Sequence, residues 1–229
     1  TSNITSAMPA EQPQDGNDCS RTLTLSGESE YLNEVRTISG GNNQYDLDVR
    51  KDGSGRWRFN APSKSFNGSL CLHRGTLQVA NGGGVGSTVC IDGGVSFFLL
   101  EENVSVSTSF DVIAGDDAPQ NTRMIGGAND AGISTYGSGE IRMGHQVNLV
   151  ATTGGSVDFS TTWAGETSGS ACDQDVTIGY TGFEGTVLLN NSGTLETSGS
   201  VVLWTGNAVI GSETTVSAGG GMTIQAGTT

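Results

Sequence analysis

Apolar and polar residues alternate in short stretches along most of the chain, most clearly across residues 51–79. Three pairs of apolar residues occupy alternate positions there: Trp57 and Phe59, Leu70 and Leu72, and Leu77 and Val79. Alternation over such short segments is typical of β-strands with one buried face. Because the segment has only one apolar face, we expect it to stack on neighbours of the same kind, as one coil of a β-solenoid.

Similar apolar runs, separated by Gly, Asn, Asp and Ser, follow through the rest of the chain. They predict strands at residues 22–25, 47–49, 56–59, 70–72, 76–79, 89–91, 95–100, 110–113, 147–150, 176–178, 186–189, 200–203, 208–210, 214–216 and 222–224. Apolar residues never recur with helical spacing over three turns, so no helix is predicted. Residues 116–136 and 164–175 are less regular and are predicted to form loops.

The strand spacing fits two folds, an antiparallel sandwich or barrel and a β-solenoid. Residues 185–229 favour the solenoid, because strands and Gly or Asn turns alternate there without a hairpin dipeptide or a long connection. We therefore predict an all-β solenoid domain over residues 21–229. Residues 1–20 hold two of the four prolines and no apolar pattern. They predict an extended N-terminal arm or linker, either disordered or paired with the edge of a neighbouring subunit.

Composition and charge limit the classes of function that the chain can have. The 36 glycines show no G-X-Y period, and aromatic residues make up only 6% of the chain, which favours a thin core lined by Val, Ile and Leu. Ten basic residues against 24 acidic ones give a net charge of −14. Nucleic-acid binding needs a basic surface, so this partner class is excluded. No signal peptide or membrane span is apparent, and we expect a mature or excised segment.

The four cysteines are widely spaced, without the close pairs of zinc sites. In a chain rich in Ser and Thr they favour disulfides and an oxidising, extracellular compartment. Cys71 and Cys90 each lie between two apolar residues and are 19 positions apart, close to one coil. Because side chains alternate between the two faces of a strand, both cysteines should point outward. Stacked strands lie about 4.8 Å apart, which is within reach of a disulfide. We predict a Cys71–Cys90 disulfide, which leaves Cys19 with Cys172, within one molecule or between two.

Four N-x-[ST] sequons support the same compartment. They begin at Asn3, Asn67, Asn103 and Asn190. Such sequons are acceptors for N-linked glycans on the surface of secreted proteins. We therefore predict glycosylation at these four asparagines.

Residues 51–79 resemble the passenger-associated transport repeat of bacterial autotransporter passengers. Its positions are matched by Lys51, Gly53 and Gly55 at the opening, Trp57 and Phe59 at the two Leu positions, Phe66 and Gly68 in Y/F-x-G, and Gly75, Thr76, Leu77 and Val79 at the close. Residues 23–31 resemble a partial copy. The resemblance implies a right-handed parallel β-helix outside a cell and no particular activity. Cys71 and the Asn67 sequon depart from the bacterial pattern, and a disulfide-forming extracellular relative fits as well.

Candidate catalytic and metal-binding residues are few. No GxSxG elbow is present, and no catalytic motif surrounds His73 or His145. Acidic residues occur in three groups: Asp46, Asp48 and Asp52 beside Arg50 and Arg56, Asp116 with Asp117, and Asp173 with Asp175. The first group could serve a glycosidase or lyase, or a calcium ion. We interpret it as a solvated acidic strand and expect no enzyme, catalytic site, metal site or cofactor.

The favoured function is that of an extracellular structural or adhesive protein. A solenoid has unpaired strands at its two ends, and head-to-tail contacts between copies do not close. We therefore expect self-association into a fibre or surface layer through uncapped ends and the N-terminal arm, with cell-surface glycans as a further partner. The alternative is a polysaccharide-cleaving or carbohydrate-binding β-helix.

Overall fold

The computed structural model describes residues 2–5, 21–40, 46–113, 122–190 and 194–225. Within these ranges the protein is all-β, without an α-helix and with one 3₁₀ turn at Gly82–Gly84. Parallel strands stack into a β-solenoid of about eight coils. The predicted fold class is therefore confirmed, and Cys19 and Asp116 with Asp117 lie outside the described residues.

Each strand is short, because each spans one face of a coil. The strands are Ser2–Thr5 (β1), Arg21–Leu25 (β2), Asn33–Gly40 (β3), Leu47–Lys51 (β4), Arg56–Phe59 (β5), Ser65–Phe66 (β6), Leu70–Leu72 (β7), Gly75–Val79 (β8), Thr88–Ile91 (β9), Ser96–Leu100 (β10), Ser105–Val106 (β11), Ser109–Val112 (β12) and Arg123–Gly127 (β13). They continue with Ile133–Tyr136 (β14), Glu140–Met143 (β15), Val147–Ala151 (β16), Ser156–Phe159 (β17), Thr162–Gly165 (β18), Val176–Ile178 (β19), Thr186–Leu189 (β20), Thr194–Thr197 (β21), Val201–Leu203 (β22), Asn207–Ile210 (β23), Thr215–Ala218 (β24) and Met222–Ile224 (β25).

The strands form three main faces. Sheet A has eleven strands in the order β1-β3-β5-β8-β10-β13-β16-β19-β22-β25, with β6 also paired to β3. Sheet B has seven, β18-β15-β12-β9-β7-β4-β2, and sheet C has five, β11-β14-β17-β20-β23. Strands β21 and β24 form a separate pair. Because sheet C begins only at β11, the first coils have two regular faces and the later coils have three.

Equivalent residues of successive coils stack directly on one another in the interior. In sheet A one such column runs through Trp57, Leu77, Phe98, Ile125, Leu149, Ile178, Leu203 and Ile224. Its members from Leu77 to Leu149 are fully buried. The repeat is irregular in length because the extra residues of longer coils go into the loops, while the inward column stays in register.

Aromatic rings fill the centre of the three-faced coils. The Tyr136 ring stacks on the Phe159 ring with centroids 4.7 Å apart, and it meets the Phe110 ring edge-on at 5.6 Å. The Tyr136 hydroxyl donates to the Gly126 carbonyl at 2.7 Å. Burial raises the pKa of this phenol well above its usual range. The buried Tyr136 hydroxyl therefore has a hydrogen-bond partner within the core.

The structure corrects the predicted loop at residues 116–136. Strands β13 and β14 lie within it, and all five residues of β13 are buried. Strand β3 was missed because its inward residues, Val35 and Ile38, are three positions apart and break the alternation. In the expected N-terminal arm, β1 pairs with β3 of the same chain.

Candidate functional site

The buried lysine of the repeat-like segment organises a turn between two coils. Lys51 is fully buried, and its Nζ donates to the carbonyls of Asp52, Gly53 and Arg74 at 2.7–2.8 Å. Burial lowers the pKa of Lys51 to about 8, and the Asp52 carboxylate opposes this change. Gly75 passes so close that a Cβ there would lie 2.8 Å from this Nζ. Lys51 and the glycines around it therefore have a structural role here.

The acidic residues proposed for glycan cleavage or calcium binding bond to the next coil instead. Asp48 accepts from the Ser69 amide and hydroxyl at 2.7 Å, and Asp46 accepts from the Asn67 side chain at 2.6 Å. Asp52 accepts from the Gly53 amide at 2.7 Å. These carboxylates hold turns in place, and their interpretation as a solvated acidic strand stays a prediction.

The outer face of sheet A carries a charged network on its first coils. Arg58 forms two 2.5 Å hydrogen bonds with Glu101, two coils further along. It also lies 3.7 Å from Glu34 on the preceding coil. A hydrogen bond from Arg36 is the largest cause that lowers the pKa of Glu34. Salt bridges of this kind, running along the axis, tie neighbouring coils together.

Further along the same face the surface becomes apolar. Leu99, Met124 and Val150 are buried on the outside of the sheet, where residues 179–184 fold back over them. Phe183 from this loop stacks on Phe97 at 6.2 Å. The loop therefore completes a second, smaller hydrophobic cluster outside the solenoid interior.

Cys71 and Cys90 are direct register partners on β7 and β9. Their neighbours Leu70, Leu72 and Ile91 are fully buried, so both thiols lie on the outer face of sheet B, partly exposed. The predicted stacking of the two cysteines is thus confirmed, and both are thiols in this structure. Their disulfide stays a prediction.

The second predicted pair also stays a prediction, since Cys19 is not described. Cys172 is a buried thiol whose Sγ lies 3.8 Å from the sulfur of Met143. Its backbone bridges in parallel to Thr197. A sulfur joining Cys172 would have to displace this core contact.

The sequon asparagines whose side chains are described lie at the surface. Asn67, Asn103 and Asn190 are exposed, and Asn103 has the left-handed φ of 59° that asparagine tolerates at turns. The Asn67 amide donates to Asp46, as above, and a glycan there would leave this nitrogen a single hydrogen for that bond. Of Asn3 only its place in β1 is described.

Neither histidine belongs to a catalytic arrangement among the described residues. His73 Nδ1 lies 3.1 Å from Asp92, whose other oxygen pairs with Arg50 at 3.1 Å. His145 Nδ1 lies 2.9 Å from the Gln146 carbonyl. Burial lowers the pKa of His145, which keeps the imidazole neutral near pH 7.

One feature that the sequence does not predict is an open pocket of about 600 Å³ where sheet B ends at β18. Trp163, Asp173 and Glu196 line it together with Ser170 and Ser198. Two successive coils contribute these side chains, so no local motif marks the pocket. An aromatic ring beside carboxylates and hydroxyls suits a neutral, hydroxyl-rich ligand.

The C-terminal end of the described solenoid exposes the interior column. Ile210, Met222 and Ile224 are 47%, 57% and 72% exposed. Their register partners on the preceding coil are Leu189, Val201 and Leu203, of which the first two are buried. We call Ile210, Met222 and Ile224 the end face.

The described residues contain no group of three metal-ligating side chains and no helix long and apolar enough to cross a membrane. No protein-family model, curated protein or solved structure matches this chain. The candidate sites therefore rest on geometry alone.

Proposed function

We propose that this chain is an extracellular structural protein whose solenoids stack end to end into a fibre or surface layer. The end face carries the proposal. Its three apolar side chains continue the buried columns of the interior, and its strands have a neighbour on one side only among the described strands. Fully burying one such side chain is worth about 1.5–3 kcal/mol, so covering the end face is strongly favoured.

The parallel order of the strands supports a head-to-tail contact. At the opposite end, β2 is the outermost strand of sheet B. A second copy placed there continues the sheets in the same direction, because all described strand pairs in sheets A and B are parallel. Such a contact joins two different surfaces and does not close, so it builds filaments.

The test compares two substitutions on the same edge strand, β25. Ile224→Lys places a charge on the end face, whereas Thr223→Lys places it on the outer side, since Thr223 pairs with Val202. Sedimentation velocity and electron microscopy should show concentration-dependent filaments for the native chain and Thr223→Lys, and monomers for Ile224→Lys. A native chain that remains monomeric at all concentrations would overturn the proposal.

The pocket beside Trp163 favours a second candidate, a solenoid that binds neutral glycans. Asp173 and Glu196 offer acceptors for sugar hydroxyls, and the pocket lining contains no Lys or Arg. Titration of neutral oligosaccharides into the native chain and into Glu196→Gln tests it, with Glu213→Gln as the control outside the pocket. Binding lost only in Glu196→Gln supports glycan recognition, and no binding by the native chain rejects it.

A further inference from the structure

The surroundings of Cys71 and Cys90 differ in charge although the two residues are stacked neighbours. Both belong to one outward column of sheet B, in which Arg50 is the register partner of Cys71 and Asp111 that of Cys90. A cation therefore adjoins one sulfur and a carboxylate adjoins the other, and Arg142, the next residue of the column, forms an ion pair with that carboxylate. Asp92 lies near both cysteines and pairs with Arg50 at 3.1 Å.

This asymmetry favours the thiolate on Cys71. A hydrogen bond with Cys90 is the largest cause that lowers the pKa of the Cys71 thiol. Ser69 and, more weakly, Arg50 act on this pKa in the same direction, while burial and the Asp92 carboxylate oppose them. The same hydrogen bond, burial and the charges of Asp92 and Asp111 raise the pKa of Cys90. The thiolate is the nucleophile in disulfide chemistry, so the pair has an attacking and a resolving member.

We propose that Cys71 and Cys90 form a thiol–disulfide exchange site, in which Cys71 attacks a low-molecular-weight disulfide and Cys90 resolves the product. Both sulfurs are partly exposed on a flat sheet face, so a small disulfide can reach them. Neighbouring parallel strands lie about 4.8 Å apart, which is within the range of Cα separations that disulfides span.

The exchange has two steps. The Cys71 thiolate forms a bond to one sulfur of the small disulfide, whose S–S bond breaks and releases one thiolate. That thiolate takes the proton of Cys90, and the Cys90 thiolate then attacks the Cys71 sulfur and releases the second thiolate. The second thiolate takes up from solvent the proton that Cys71 lost on ionisation. The two cysteines lose two electrons, the small disulfide gains them, and the Cys71–Cys90 bond links two adjacent coils.

The test treats single-cysteine variants with oxidised glutathione and locates the products by mass spectrometry of peptides. Cys90→Ser should accumulate a mixed disulfide on Cys71 at least tenfold faster than Cys71→Ser accumulates one on Cys90. The native chain should end with an internal bond, two mass units lighter. Alanine variants also remove the hydrogen bond at the partner position, so Cys71 should still react faster but by a smaller factor, and thermal unfolding confirms that each variant is folded.

Two further variants test the cause of the asymmetry. Arg50→Gln should slow the reaction of Cys71 severalfold, while Arg56→Gln on the outer face of sheet A should leave it unchanged. Equal rates for the two single-cysteine variants, or a native chain that ends with two mixed disulfides, would overturn the proposal. The result is independent of filament formation, because the pair lies on the side of the solenoid.

Discussion

Replacing Lys51 with methionine tests the role of the buried ammonium in the fold. Methionine keeps most of the side-chain volume but removes the donor to the carbonyls of Asp52, Gly53 and Arg74, which Lys51 contacts at 2.7–2.8 Å. The three carbonyls come from two successive turns, so the substitution removes hydrogen bonds that connect one coil to the next.

The expected loss follows from the hydrogen bonds. A buried polar group left without a partner costs about 1–3 kcal/mol, and the better burial of methionine offsets about 1–2 kcal/mol. If two of the three carbonyls lose their partner without gaining water, these costs less the offset lower the free energy of unfolding by about 2–3 kcal/mol at pH 7, and by about 5 kcal/mol at most. Urea denaturation of both proteins measures this difference.

The pH dependence provides a second, independent readout. Burial lowers the pKa of Lys51 from 10.5 to about 8 in the folded protein. Between these values the unfolded chain holds a proton that the folded chain has released, so stability rises with pH, by at most about 1.4 kcal/mol per unit. The stability gained from releasing this proton is complete above the unfolded pKa of 10.5 and is lost as pH falls through about 8.

The chain has only two lysines, Lys51 and Lys64, which makes the assay direct. In protein labelled with ¹⁵N-lysine, the Nζ resonance missing from Lys51→Met identifies Lys51, and its titration midpoint should lie near 8. Lys64→Met is the matched control, since that side chain lies partly exposed over the Phe66 ring at 5.0 Å. If Lys51→Met matched the native chain in stability and in its pH slope from 8 to 10, this reasoning would be refuted.

Two further substitutions probe the close packing of turns and core. Gly75 has a φ of 77°, and a Cβ there would lie 2.7 Å from the Gly55 carbonyl oxygen, so Gly75→Ala should cost more than about 2 kcal/mol. Gly182 has a φ of 85° but open space around it, so Gly182→Ala should cost about 1 kcal/mol, and equal losses in urea would contradict the packing argument. Tyr136→Phe removes the 2.7 Å bond to the Gly126 carbonyl and should cost about 1 kcal/mol or more. The same change at Tyr31, which is 87% exposed, should fall within about 0.5 kcal/mol of the native chain.

Regular alternation predicts several strands correctly but not all of them. Strands β5, β7 and β20 have the predicted bounds, because apolar residues alternate in each and each ends at a polar residue. Strands β15 and β17 bury alternate residues as well and were not predicted. The stacking of Cys71 on Cys90 follows from the same rule combined with the coil length. In this part of the chain, the local pattern and the coil length together are enough to predict which residues stack on one another.

Strands with an irregular burial pattern or with glycine were among those missed. Strand β3 pairs with β5 at its start and with β6 at its end, so it turns a corner and its buried residues lose the two-residue period. Strand β13 ends in Gly126 and Gly127, which suggest a turn in the sequence. In the structure they keep the backbone of β13 close to its neighbours, since a Cβ on Gly126 would clash with the Val150 carbonyl.

The candidate sites depend on contacts between coils, which no single segment contains. The pocket beside Trp163 combines residues from β18, β21 and the loop between β18 and β19. The opposite charges beside Cys71 and Cys90 come from β4 and β12. Both require the register of the coils, which differ in length and so cannot be aligned from the sequence alone.

The stacking of coils also determines how the molecule responds to pulling force. The backbone hydrogen bonds between coils are directed along the solenoid axis, so axial tension loads one ladder at a time, from whichever end is held. Each detached coil holds between 20 and 29 residues, from Trp57 to Leu77 in the shortest and from Leu149 to Ile178 in the longest. It therefore releases about 70–100 Å of chain, and extension should proceed in a series of low steps of unequal length. A bond between Cys71 and Cys90 would keep the 19-residue segment between them from extending. The protein would then behave as an extensible tether whose reach depends on the oxidation state of one pair of sulfurs.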